Sequence, residues 1–87
     1  METLESMLNI GKEMKAKLYS IGVQSPQDLI RLGRKEVFVQ LKERYPNVCL
    51  VHLYVLEGAI LNIDYDKLSD EVKQDLKQFS DEVKLRV

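Results

Sequence analysis

One cysteine and one histidine in 87 residues leave little room for several kinds of chemistry. Cys49 alone permits no intrachain disulfide, and its place in the most apolar stretch makes a buried, inert thiol the expectation. A reducing cytoplasm fits that reading. His52 is the only imidazole, so zinc lacks a set of nitrogen and sulfur ligands. Asp64 and Asp66 flank Tyr65, but calcium needs further oxygen ligands and a turn glycine that this segment lacks. No P-loop, GxGxxG or nucleophile motif occurs. The expectation is a chain without catalysis, metal or cofactor. Val48–Leu61 is the longest apolar stretch, and a bilayer span needs about 20 residues, so no membrane partner is expected. Met1–Asn9 is acidic and only weakly apolar, unlike a signal peptide. A strong excess of one charge is also missing. The formal net charge is −1, poor support for a general nucleic-acid binder. Residues 1–45 hold eight Lys and Arg against six acids, and the remainder five against eight, a mild asymmetry.

What is present is a folded chain's composition, 45% hydrophobic and 31% charged with the signs interspersed. The length suits one small domain. Leu4, Met7 and Leu8 share one face of a short helix from Glu2 to Leu8. Met14, Leu18 and Ile21 continue the period through Lys12–Ser20, and Gly22 reads as a left-handed cap that folds Val23 onto the core. Ser25, Pro26 and Asp28 form a helix start. That helix is brief and stops at Gly33. Lys35–Arg44 turns Val37, Phe38 and Leu41 inward and closes before Pro46. Asn47 is then expected to cap Val48–Leu61, a core helix enclosed on nearly all sides. Ser69 caps the last helix, where Val72, Leu76, Phe79 and Val83 make a narrow apolar stripe. Ser69–Lys73 recurs as Ser80–Lys84, read as chance in a charged helix rather than a fresh cap at Ser80. No useful stretch alternates with period two. The fold class expected is all-α, a compact bundle of five or six short helices.

Leu8-Asn9-Ile10-Gly11-Lys12 reads as a helix-hairpin-helix turn. Asn9 tolerates the left-handed region, and Gly11 removes a Cβ where the backbone is expected to pass close. The amides of Ile10, Gly11 and Lys12 would then point outward beside Lys12 and Lys15, a candidate phosphate site to which Arg34 and Lys35 add charge. Glu57 is the most diagnostic polar residue, because a carboxylate in an apolar helix needs compensating partners. Gly58 is expected to admit another helix backbone at close range.

Laid out in this order, the chain resembles the C-terminal domain of the TfoX/Sxy family, bacterial proteins associated with regulating natural competence. The resemblance runs from about Leu4 to Phe79 and places residues 80–87 as an extension of the last helix. It rests on Leu8–Gly11, Leu18 with Ile21–Val23, Ser25 with Asp28-Leu29, Leu41-Lys42, and above all Leu53-Tyr54-Val55-Leu56-Glu57-Gly58-Ala59. Ile63-Asp64-Tyr65 and Leu68 also match. The resemblance implies a helix-hairpin-helix or SAM-like domain without cofactor or catalysis, in which Gly22, Gly33, Tyr54, Glu57, Gly58 and Tyr65 are structural. Family members often carry an additional N-terminal domain, for which this chain is expected to have no room. Two functions stay open. One is a regulatory module docking a protein partner, or a second copy of itself through Leu76, Phe79 and Val83. The other is sequence-independent binding of a DNA backbone at Asn9–Lys12. Overall acidity favours the first.

Overall fold

The computed structural model describes residues 3–86, with side chains through Lys84. A 3-10 turn at Leu4–Ser6 leads to α1 (Lys12–Ser20), α2 (Pro26–Arg44) and α3 (Leu50–Leu61). A second 3-10 turn at Tyr65–Lys67 precedes α4 (Asp70–Arg86). No strand occurs among the described residues. The chain is all-α, with four helices and two 3-10 turns rather than five or six helices. The opening segment makes one turn at Leu4–Ser6 instead of a helix through Leu8, and the expected start at Glu2 lies outside the described residues. The segments on either side of Gly33 run together as α2, although Gly33 itself has φ 83° and ψ 159°. Glycine adopts that conformation without steric cost. α2 is therefore two helical arms meeting at the residue where the sequence predicts a stop.

Local capping explains most of the other boundaries. The Gly22 N–H donates to the Tyr19 carbonyl at 3.0 Å and the Val23 N–H to the Leu18 carbonyl at 2.9 Å. With Gly22 at φ 87°, this is a Schellman arrangement, and it buries Val23 completely. Ser25 Oγ accepts the Asp28 N–H at 3.2 Å with Pro26 in the first turn of α2. Ser69 Oγ accepts the Val72 N–H at 3.2 Å at the start of α4. α3 departs from expectation. It begins at Leu50 rather than Val48, and its N-cap is Cys49, not Asn47. The Cys49 N–H donates to Nδ1 of His52, one turn along, at 3.1 Å. The cap position faces outward, so the Cys49 thiol is exposed rather than buried, despite its apolar neighbours.

α3 lies at the centre. Leu53 and Leu56 are fully buried among Val37, Phe38 and Leu41 of α2 and Leu76 of α4. Its enclosure is incomplete, since Val51 and Leu61 are half exposed. Leu8 also turns outward instead of joining Leu4 and Met7. α4 lies along its own core. Leu76 and Val83 are buried, each contributing about 1.5–3 kcal/mol relative to exposure. Phe79 packs its ring 6.3 Å from that of Phe38, inclined at 58°. The stripe that the sequence left open for a second copy is thus turned onto the chain's own core at Phe79 and Val83. The helix passes unbroken through buried Ser80, so no new cap forms there. Of the extension expected over residues 80–87, the side chains after Lys84 lie outside the described ones.

Candidate functional site

The residues singled out from the sequence fall into two groups on the fold. At the hairpin, Asn9 has φ 74°, the left-handed conformation its side chain tolerates. Its amide is not free. Nδ2 donates to the Ile63 carbonyl at 2.9 Å, and Oδ1 accepts the Tyr65 N–H at 3.4 Å. Asn9 thus ties the N-terminal turn to the loop after α3, directly over Gly58. A Cβ on Gly58 would meet the Asn9 amide and come within 2.5 Å of the Ile63 carbonyl oxygen and 3.3 Å of Tyr65 Cα. The neighbour admitted by Gly58 is a loop and a side chain, not another helix. Gly11, in contrast, is an extended N-cap with φ −97°, and a Cβ there would meet nothing within 4 Å. No close backbone contact requires it.

The hairpin amides are only partly available. The Ile10 N–H donates to the Met7 carbonyl at 3.3 Å, and Ile10 itself is buried. No side chain caps α1. Lys12 has no carboxylate within ion-pair distance among the described residues, whereas Lys15 pairs with Glu5. That hydrogen bond holds the Glu5 carboxyl below its ordinary pKa and Lys15 above its own.

Arg34 and Lys35 sit just after the Gly33 break and serve a different set of partners. Arg34 Nε lies 3.1 Å from Oε2 of Glu57, and its Nη2 is 3.9 Å from Asp75. Lys35 Nζ is 4.0 Å from the same Asp75 carboxylate and 5.2 Å from the centre of the Phe79 ring. Glu57 is 6% exposed. The Nε–H of Arg34 does not point along its contact with Glu57, so the two form an ion pair without a hydrogen bond, and buried Nε has no other acceptor. Burial pushes the Glu57 carboxyl above its ordinary pKa; Arg34 opposes this, Asp75 reinforces it, and Lys35 opposes it more weakly. Glu57 therefore joins α3 to the break in α2 and, through Arg34, to α4. Tyr54 adds a second tie, its hydroxyl donating to the Lys73 carbonyl at 3.3 Å. Tyr65 is 41% exposed.

Two adjoining cavities were not legible in the sequence. One, of about 530 Å3, is lined by the first turn of α1, including Lys12 and Glu13, and by Lys17 and His52. The other, of about 330 Å3, is lined by Arg44, Tyr45 and the loop into α3, and again by Lys17 and His52. Lys17 lies 5.5 Å from the centre of the Tyr45 ring, whose hydroxyl donates to Ser20 Oγ at 2.8 Å. Lys42 Nζ donates to the carbonyls of Pro46 and Val48 at 2.8 and 2.7 Å. Burial lowers the His52 pKa, and Lys17 and Lys42 lower it further. The signal available beforehand was Lys17, next basic residue after Lys15 on α1. Nothing local brings it to Arg44 and His52.

Among the described residues, no group of His, Cys, Asp and Glu side chains is placed to hold a metal ion, and no helix is long and apolar enough to cross a membrane. The described residues define a small all-α domain. The profile of the TfoX C-terminal domain matches residues 1–80, and the chain belongs to that family. Among solved structures, an uncharacterized protein from Listeria monocytogenes, in a triclinic crystal form, is 34% identical with a TM-score of 0.91. The match covers 94% of this chain and 93% of that one. A protein of unknown function from the same organism, in a tetragonal form, is 35% identical with a TM-score of 0.88, over 92% and 99% of the two chains. No curated protein matches.

Proposed function

We propose that the chain is a non-enzymatic regulatory module of the cytoplasm that docks a protein partner. The regulatory part comes from its resemblance to the C-terminal domains of competence regulators. The docking part is carried by one observation. Leu8, Leu61, Ile63 and Tyr65, between 37% and 47% exposed, sit on the two chain segments that the Asn9 clamp joins. Large apolar side chains scattered singly are ordinary on a surface, whereas several gathered on one rigid feature favour a contact with another protein. The stripe of α4 does not supply that face.

The test is capture of partners from an extract of the source cell by the wild type and by a Leu8→Asp, Ile63→Asp double variant with an unchanged melting temperature. A protein retained by the wild type and lost by the variant supports the reading. Equal retention by both, or none by either, refutes it. A second reading, contact with a nucleic-acid backbone through a helix-hairpin-helix element, has its own support. Lys12 borders an open cavity at the uncapped start of α1 and has no acidic partner among the described residues.

A further inference from the structure

The two cavities share Lys17 and His52 as common walls, so they form one continuous groove across α1, the α2–α3 loop and the first turn of α3. Resting on the second reading above, we infer that the phosphodiester backbone of a nucleic acid lies along this groove, over Lys17 and His52, rather than at the tip of the hairpin.

Charge distribution carries the argument. Lys15, Arg31, Arg34, Lys35 and Lys67 each have a carboxylate within ion-pair distance. Among the described residues Lys12, Lys17, Lys42, Arg44, Lys73, Lys77 and Lys84 have none; of these, Lys12, Lys17 and Arg44 line the groove, and Lys42 donates to the carbonyl of Val48 on its wall. Among the described residues, Glu13 is the one acid on its walls. Seven of the fourteen acids lie from Asp64 onward, and none of these lines either cavity. A net charge of −1 therefore conceals a basic strip. Lys12 stands at one end, Arg44 at the other and Lys17 at the junction, an arrangement suited to a row of phosphates rather than to one anion.

The strip is also held in shape. Two backbone carbonyls position the Lys42 ammonium, and the Tyr45 ring lies under Lys17. Nδ1 of His52 accepts the Cys49 N–H, so the neutral ring carries its proton on Nε2, a donor suited to a phosphate oxygen. Tyr45 adds an aromatic face of the kind on which unpaired bases stack.

The experiment is a fluorescence-anisotropy titration of the purified full chain with a short labelled duplex and a labelled single strand of the same sequence, across a salt series. Both a Lys17→Glu, Arg44→Glu double variant and Arg44→Glu alone are compared with a Lys77→Glu, Lys84→Glu control on α4. Circular dichroism confirms that each remains folded, and Arg44→Glu alone keeps the test valid if the double variant does not. Binding by the wild type should fall at least roughly tenfold in the groove variants, with a flatter salt dependence, and little in the control. Preference for the single strand would assign Tyr45 a stacking role; equal binding of both probes would assign the groove to the backbone alone. Wild-type binding that the groove variants leave intact, or that the control reduces equally, overturns the groove while the second reading survives. Tighter binding of polyglutamate than of either nucleic acid overturns it in favour of an acidic protein. No binding even at low salt overturns the groove and the second reading together.

Discussion

Replacing Gly58 with alanine tests the tightest contact in the fold. In an exposed helix the change would gain up to about 1 kcal/mol from helix propensity. Here the added methyl meets the Asn9 amide, lies 2.5 Å from the Ile63 carbonyl oxygen and lies 3.3 Å from Tyr65 Cα. The Asn9 side chain can swing aside, but the carbonyl belongs to backbone just after the left-handed end of α3 at Asn62. Overpacking of this kind costs about 1–3 kcal/mol. Displacing the clamp forfeits two hydrogen bonds at about 0.5–1.5 kcal/mol each. Set against that gain, the expected net loss is about 1–5 kcal/mol, lowering Tm by roughly 4 °C or more in a domain of this size. Thermal and urea melts followed by circular dichroism give both quantities. Gly11→Ala is the internal control, because that Cβ would meet open space and its cost at an N-cap stays under about 1 kcal/mol. Asn9→Ala made in the Gly58→Ala background should cost less than in the wild type, since both changes release the same clamp. A Gly58→Ala protein as stable as wild type, or a Gly11→Ala protein equally damaged, would refute the reasoning.

Glu57→Ala should destabilise by about 1–3 kcal/mol, because it leaves the buried Arg34 Nε facing no charge; a urea midpoint unchanged from wild type would count against the ion pair. The raised pKa of Glu57 also has a pH signature. The folded chain holds this proton more tightly than the unfolded one, so the contribution is full below the ordinary glutamate pKa and is lost as pH rises through the raised value. Glu57→Gln should remove that fall from a plot of stability against pH, and an unaltered plot would show that Glu57 titrates as an ordinary carboxyl. The Cys49 thiol should react with a disulfide reagent in the native protein, without denaturant, as its exposure requires; reaction only on unfolding would restore the buried thiol expected from its apolar neighbours.

The features legible in the sequence are those settled within one or two turns of chain. Gly22, Ser25, Ser69 and the Gly33 break stand where the sequence predicts them, because a cap or a positive φ depends on dihedral preference and on groups a few residues away. The apolar periods of α1 and α4 named their inner faces for the same reason, and the profile match over residues 1–80 bears out the resemblance read above all from the run around Glu57-Gly58. Even local reading failed at the start of α3, where an apolar run disguised an exposed cap at Cys49. The remaining features depend on pairs distant in sequence. Asn9 looked free for a ligand until the loop 54 and 56 residues later occupied its amide. Glu57 plainly needed a partner, but only the packing of α3 against α2 and α4 selected Arg34 and left Asp75 beside it. The stripe of α4 carried no mark to separate an overhang from a buried face; the position of Phe38 decided it. Lys17, Arg44 and His52 share no local pattern, because a groove is a property of the space between elements. Dihedral and capping preferences act along the chain, whereas side-chain contacts across the core are chosen only when every helix must bury its apolar face at once.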